Sequence, residues 1–560
     1  MLLLPGIFAT ELSTTDEARY TQVAREMREA DRWLAPLLND EEYWQKPALF
    51  FDLLQIPQRL TGEVSAVQSR LVILPFAIFC LWGTYAIGLI LARRRAALLS
   101  AGCLGTLALF HEYAHRAVFD VPMLACIIGA LYCYVVWTRT DRSPQWWRWL
   151  AALLMGIGTH FKGPVAILLP GAVMAIDSIT RHRIRAFLSP TGYWIGPVAL
   201  LVLGAWFLPM AAVYGEKFTE FMLEEHLIGR SVSNQAPHLR PFYYYIPKII
   251  ASWVPWIFVA PIAWRLTRST GLTPAADPRL DPPLRFPFIW AVSIPLILSL
   301  IASKRTQYLL PATPGFCLWI GITFDQLLRR GTLQPGLEFD TAKVLRVFML
   351  ILAALLVIAV IGPILLQSTV SPDAAISPKD ALLLGSIAAF FFVTTASLLR
   401  SATPIRLYLA LLILGIGANQ IHCWGIASLR DKAIRPNEFG QEIREIRELG
   451  IEVGLYSMRL NGTYLLHSGS NHFVPINQPE EVPRFLNRPG AQAVIGKRRY
   501  LERQIPSLLS DSNFVILAKH REGRAQVLLI GDSVAEALSN KASPNDRSLP
   551  SHSPGDSPKD

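Results

Sequence analysis

The sequence predicts a polytopic α-helical membrane protein with about 12 to 13 transmembrane helices and a small C-terminal α/β extracytoplasmic domain. Three observations carry that prediction. The 560 residues are 52% hydrophobic and only 17% charged, which is too apolar for a soluble domain of this length. Segments apolar enough to cross a bilayer, singly or with help from neighbours, recur at 71–92, 96–112, 118–138, 149–160, 163–179, 192–213, 245–264, 286–302, 308–326, 345–367, 380–399 and 405–425. Beyond Trp424 the apolar runs stop, and short β-like and helical patterns replace them.

The excess of 53 Lys+Arg over 42 Asp+Glu, a net charge of +11, does not point to nucleic acid, because the basic residues fall in short clusters between apolar runs. Six cysteines lie in or beside those runs without paired ligand spacing, so neither a disulfide framework nor a zinc finger is indicated.

Taken in order, Met1 to Phe8 is apolar but far shorter than the roughly 20 residues of a spanning helix. The expectation is that upstream sequence supplies about fifteen further residues, mostly apolar with a basic start, to complete a thirteenth span. Residues 9–70 read as a long polar loop lying on the membrane, with Trp33, Tyr43 and Trp44 suited to the headgroup layer. The twelve apolar segments then alternate with loops of two kinds. Loops of one parity carry nineteen Lys and Arg, among them Arg93-Arg94-Arg95, and those of the other hold only Arg116, Lys162, Lys304, Arg305 and Lys379 among the short loops. The basic set faces the cytoplasm, which puts residues 9–70, the 214–244 loop and the C-terminus outside. Domain boundaries follow: a membrane domain over 1–425, an α/β domain over 426–533 and a disordered tail over 534–560. In the α/β domain helices are expected at Glu438–Leu449 and Arg498–Leu509, and strands at Val453–Ser457, Thr463–His467, Ala493–Gly496, Val515–Ala518 and Gln526–Ile530.

The chemistry is expected in the outward loops. Thr14 and Glu17 have the spacing of a capping box, so a helix starts there with Asp16 in its first turn and Tyr20 on the same face as Asp16. An acid at that position also suits the helix dipole without any further role. Asp16 and Glu17 are the candidate catalytic residues, with Arg19 and Tyr20 beside them as binding residues. Lys46 precedes a proline and so sits outside a helix. Asp120 falls at or just inside the start of an apolar helix, where an ionisable group is costly and tends to be functional. Lys162 interrupts the apolar run before Gly163-Pro164, and Lys304, Arg305 and Tyr308 lie at another outer helix end. Each basic residue taken singly reads equally well as a snorkelling anchor. Gathered on the face opposite the basic loops, they point to an anionic ligand. The 214–245 loop adds Glu225, His226, Arg230, His238 and an aromatic cluster. A carboxylate and two histidines can bind a metal, but their spacing matches no recognised set, so hydrogen bonding to substrate is the preferred reading.

Asp-Glu-Ala-Arg-Tyr with Ala-Arg-Glu-Met (16–27), Gln-Lys-Pro-Ala-Leu (45–49), Lys-Gly-Pro (162–164), Glu-His-Leu with Pro-Phe-Tyr-Tyr-Tyr (225–245) and Tyr-Leu-Leu-Pro (308–311) together resemble the bacterial lipid-linked-sugar transferases. These are GT-C-fold proteins related to the protein O-mannosyltransferases and especially to the aminoarabinose transferases that modify lipid A. The resemblance implies a donor of undecaprenyl-phosphate-sugar type, Asp16 acting on the acceptor and Lys46 near the lipid phosphate. It also implies a bacterial inner membrane with the reaction on the periplasmic face, and an envelope glycolipid, glycan or protein as acceptor. Relatives place Glu before the Lys-Pro and use it with a histidine to hold a metal. Here Gln45 stands in that place, so no metal site and no cofactor are expected. A lipid or sugar transporter also needs many helices and a polar cavity, but its site belongs near the midplane, often between two related halves, and no half-repeat is seen. A membrane scaffold without activity is the reading if the first span is missing.

Overall fold

A computed structural model describes residues 4–8, 11–12, 14–140, 144–181, 195–222, 240–270, 281–330, 350, 378–400, 403–423, 436–457, 462–509, 513–522 and 525–532. The chain divides into two compact units, one formed by Met1–Leu12 with Val23–Lys432 and the other by Ser13–Gln22 with Ala433–Asp560.

The first unit is helical. The described part of residues 9–70, expected as one loop, holds regular elements: after α1 (Leu4–Phe8) come α2 (Thr15–Glu29, whose first turns belong to the second unit), a two-stranded hairpin of β1 (Leu37–Leu38) and β2 (Glu41–Glu42), and α3 (Leu49–Thr61). α3 earns its place by amphipathicity, burying Phe50, Phe51 and Leu54 on one face. There follow α4 (Ala66–Leu71), α5 (Leu74–Leu91), α6 (Arg94–Thr106), α7 (Ala108–Ala114), α8 (Asp120–Arg139), α9 (Trp146–Lys162) and α10 (Val165–Thr180). Further helices run over Ile195–Glu220, Tyr245–Ser252, Ala260–Thr270, Arg285–Leu300, Thr313–Arg330, Pro378–Leu398 and Pro404–Ile421. Helices thus cover every apolar segment read from the sequence except 345–367, which lies outside the described residues but for Leu350.

Among the described residues, four stretches are individually long and apolar enough to cross a membrane: Ala66–Leu91, Asp120–Arg139, Gly196–Glu220 and Pro404–Ile421. The segment expected as a straight span over 245–264 is instead bent by 101° between Phe242–Ser252 and Trp256–Thr270. Pro255 lies at that break, where it removes a helical amide. The 96–112 segment likewise splits at Leu107, whose backbone is extended, into α6 and α7. The 308–326 segment begins as a 3₁₀ turn, Thr306–Ala312, before the helix proper. α9 and α10 remain separate because Gly163 turns the chain at φ +83°, a conformation that only glycine adopts without strain.

α8 organises this unit. It is buried over 83% of its span-length window, against 17% for the helix near 196–220, so one is core and the other periphery. Its twenty residues separate its ends by about 30 Å. At the Arg139 end, three buried arginines surround two buried aspartates: Arg139 meets Asp281 at 3.4 Å, and Arg181 and Arg285 meet Asp177 at 2.8 and 2.7 Å. The Asp120 end carries the candidate site.

The second unit holds a five-stranded sheet in the order β4-β3-β5-β7-β6, where β3 is Glu452–Tyr456, β4 Val474–Ile476, β5 Gln492–Lys497, β6 Phe514–Glu522 and β7 Ala525–Asp532. β3 is parallel to β4 and β5, and β7 is antiparallel to both β5 and β6. Ile476, Val482, Phe485, Val494, Leu528 and Ile530 fill one core under it. The expected helices appear as Pro436–Glu448 and as Arg498–Gln504 continued by a 3₁₀ turn to Leu509. The expected strand at Thr463–His467 is instead the helix Gly462–Ser468. Thr463, Tyr464, Leu465 and Leu466 are buried without alternation, and Tyr464 packs edge-on against Phe439 of the Pro436–Glu448 helix. β-forming side chains there serve a helix enclosed on all sides.

Candidate active site

Two constellations answer to the residues picked out in the sequence, one in each unit. On α2 Thr14 caps the helix as its spacing suggests: its hydroxyl accepts the Glu17 amide at 3.4 Å and donates to Glu17 Oε2 at 2.9 Å. That bonding holds Glu17, which is 1% exposed, in a structural role at the helix start. Asp16 stays partly exposed and accepts from Arg19 Nη2 at 2.5 Å. Arg19 in turn lies over the Tyr20 ring at 5.3 Å, and Tyr20 is buried. Asp16 is therefore the accessible carboxylate of the pair. On the buried side of the helix, Gln22 donates to the Ser470 carbonyl at 3.0 Å, fixing the first turns of α2 to their own unit.

In the first unit, Lys46, Asp120, Lys162 and Tyr308 converge, although they lie far apart in sequence. Lys46 occupies the bend between β2 and α3, Asp120 opens α8, Lys162 closes α9, and Tyr308 lies in the 3₁₀ turn after Arg305. Lys162 Nζ donates to Asp120 Oδ1 at 2.5 Å and sits 4.6 Å from the Tyr308 ring. The Phe119 ring is shared by Lys46 at 5.2 Å and Lys162 at 5.5 Å. Two ammonium groups thus flank one aromatic wall, and the Asp120 carboxylate offsets the charge of Lys162. They border a cavity of about 170 Å³ whose other walls, including Met123, Val165, Leu169, Leu298 and Ile301, are apolar. Nearby, burial and the charges of Asp120 and Glu112 push the Tyr113 hydroxyl well above its ordinary value, so it stays protonated, while Arg305 acts in the opposite sense.

Other candidates fare differently. Lys304 is 4% exposed and donates to the Ile301 carbonyl at 2.5 Å and the Arg240 carbonyl at 3.1 Å, so it clasps two loop backbones. Glu225, His226, Arg230 and His238 lie outside the described residues. Gln45 accepts from the Tyr43 hydroxyl at 3.4 Å. A neutral amide used in this way does not supply the anionic ligand that a glutamate in its place would offer a metal beside Lys46. Sequence reading missed a group elsewhere in the unit: His111, His115 and Cys423 present ligand atoms within 4.8 Å of one another. The four-residue spacing of the two histidines was the available signal.

The sequence profile of the dolichyl-phosphate-mannose-protein mannosyltransferase family matches residues 9–221. The undecaprenyl phosphate-alpha-4-amino-4-deoxy-L-arabinose arabinosyl transferase of Shewanella sediminis is 27% identical over 318 residues, 56% of this chain and 55% of that protein. The enzyme of the same name from Erwinia tasmaniensis is 28% identical over 409 residues, 70% and 69% of the two chains. The chain spans a little over half the length of the first curated relatives it matches. Among solved structures, ArnT from Cupriavidus metallidurans bound to undecaprenyl phosphate superposes with a TM-score of 0.72 at 19% identity, covering 94% of this chain and 96% of that one. Its apo form gives 0.73 at 18% identity with 96% of each covered. Fold and site therefore define a GT-C-fold integral membrane protein. In sequence the chain is similar to the protein mannosyltransferase family over residues 9–221 and to the aminoarabinose transferases, and in fold to ArnT.

Proposed function

We propose that this protein is a membrane glycosyltransferase that moves a sugar from a polyprenyl-phosphate donor to an envelope acceptor on the periplasmic face of the inner membrane. The observation that supports this reading best is the cavity where Lys46 and Lys162 meet apolar walls. That combination suits a ligand with an anionic head on a hydrocarbon chain. Asp120 keeps Lys162 from standing as an uncompensated cation while the site is empty. When a phosphate enters, the same ammonium has a second anion to bind.

Outside the cytoplasm no nucleotide sugar is at hand, so the donor must carry its own leaving group. As the bond from the anomeric carbon to the phosphate oxygen breaks, negative charge grows on that phosphate. Lys46 and Lys162, fixed by Phe119 and Tyr308, stabilise it without having to reorganise. Asp16 is assigned to the acceptor. Toward a hydroxyl it is the general base; toward a phosphate, already ionised, it orients the attacking oxygen, and the Arg19 guanidinium holds the carboxylate in place.

The test is in two parts. Envelope lipids and glycans are compared by mass spectrometry with and without the gene, and one sugar-bearing species should disappear. Purified Lys46→Ala should then lose roughly a hundredfold in rate at limiting lipid donor. Unchanged kinetics under those conditions would remove Lys46 from the donor site.

A further inference from the structure

A second polar group lies apart from the cation-bordered cavity, between α7, the turn that follows it and the end of the Pro404–Ile421 helix. His111 is 2% exposed, His115 8% and Cys423 1%, and one ligand atom from each lies within 4.8 Å of the others. His111 and His115 stand four residues apart on α7 and its C-terminal cap, with ring centroids 5.2 Å apart. His115 Nδ1 is buried with no hydrogen-bond partner. A buried ring nitrogen left without a partner is costly and calls for an explanation. The ring cannot turn aside toward α1, because Gly6 is packed against it: a Cβ at Gly6 would lie 2.4 Å from His115 Cγ.

Two imidazoles and one thiol form a soft, nitrogen and sulfur donor set. It suits Zn²⁺ and does not suit Mg²⁺ or Ca²⁺, which take oxygen. In a tetrahedral zinc site the ligand atoms stand roughly 3.4 Å apart, so the three groups need close in by only about an ångström, within the reach of small side-chain rotations. We propose that His111, His115 and Cys423 bind a zinc-class divalent cation, which ties the end of the Pro404–Ile421 helix to the α7–α8 turn. On binding, the thiol gives its proton to solvent and the resulting thiolate bonds to the metal, with water in the fourth position.

His111-Glu112-Tyr113-Ala114-His115 also has the His-Glu-x-x-His spacing found in zinc hydrolases, where the glutamate is the general base. Here Glu112 is ion-paired with Arg116 at 3.0 Å and is not among the gathered ligand atoms. With the Glu112 carboxylate engaged by Arg116, the role assigned to the metal is to hold the two segments together. Among the described residues it is the one such group, and the other buried cysteines are not part of any, so a metal–sulfur signal is specific to it.

The full-length wild-type protein in detergent, stripped by chelator and reloaded with zinc alone, should take up the metal. Its zinc X-ray absorption spectrum should contain one sulfur at about 2.3 Å beside nitrogen at about 2.0 Å. Cobalt substitution should give tetrahedral visible bands and a thiolate charge-transfer band in the near ultraviolet. Cys423→Ser should abolish that band, and His111→Gln should weaken binding at least tenfold. The wild-type spectra need no variant to fold. Zinc bound without a sulfur neighbour, no zinc bound at all, or a charge-transfer band that survives in Cys423→Ser would each overturn the proposal. Transfer activity does not enter any of these readouts, so the outcome is separate from that of the proposed function.

Discussion

Lys162 and Asp120 are 12% and 4% exposed, so their contact at 2.5 Å is a buried ion pair, and the two partners depend on each other. Removing one member of such a pair strands the other, at a cost of about 3 kcal/mol or more. Lys162→Met should therefore lower the thermal unfolding midpoint and stop transfer. The double variant Lys162→Met with Asp120→Asn should regain most of the midpoint while staying inactive, because its buried charge is gone but so is the phosphate ligand. Recovery of activity in the double variant would show that Lys162 serves packing alone. Asp16 is the opposite case. It is 26% exposed on its side chain, and its ion pair with Arg19 is a near-surface one worth less than about 1 kcal/mol. Asp16→Asn should abolish turnover with an unfolding midpoint close to that of the parent, and normal turnover in the purified variant would take the role away from it. Glu17→Gln, by contrast, disturbs the buried cap and should register in stability.

At the scale of elements, α3 carries a titrating carboxyl in the acid range. Burial pushes the Asp52 carboxyl up from 3.8 to about 6, against hydrogen bonds from the Leu34 backbone and Gln55 and the charge of Arg59. A carboxyl raised in the folded state binds protons that the unfolded chain has already released, so between pH 4 and 6 stability falls as pH rises. Above pH 6 the penalty is complete, on the order of 3 kcal/mol. Asp52→Asn should flatten that slope, which unfolding measured across pH 4 to 7 will resolve. Elements also mark how much of the protein could be read in its sequence. Spans were legible because hydropathy acts locally, and the cap at Thr14 because it is a spacing of three. Thr463–His467 was misread, since residues enclosed on every side lose the alternation that separates strand from helix. The kink at Pro255 was hidden in an apolar run. Lys46, Asp120, Lys162 and Tyr308 were each legible as polar residues between apolar runs, but the gathering of Lys46, Lys162 and Tyr308 at one cavity, with Asp120 paired to Lys162, depends on helix packing, which no local pattern encodes.

For the molecule as a whole, orientation in the bilayer is the premise on which a periplasmic reaction rests, and the Ala66–Leu91 helix offers a direct test of it. Its 26 residues, α4 followed by α5, reach up to about 39 Å, and α5 alone about 27 Å, close to the roughly 30 Å of hydrocarbon, so the two ends are expected on opposite faces. Glu63 precedes it and Arg93 follows it, and both are exposed. All six native cysteines are buried, so a single introduced cysteine at either position is the accessible thiol. The arginines at 93–95 belong to the basic set of loops, which face the cytoplasm under the positive-inside rule. Glu63→Cys should thus react with a membrane-impermeant maleimide in intact spheroplasts, and Arg93→Cys only after the membrane is opened. The reverse pattern would turn the cation-bordered cavity toward the cytoplasm, where nucleotide sugars are present and a lipid-linked donor would no longer be required. Labelling of both in intact spheroplasts would mean that this helix does not span, and the assignment of every later loop to one face or the other would have to change with it.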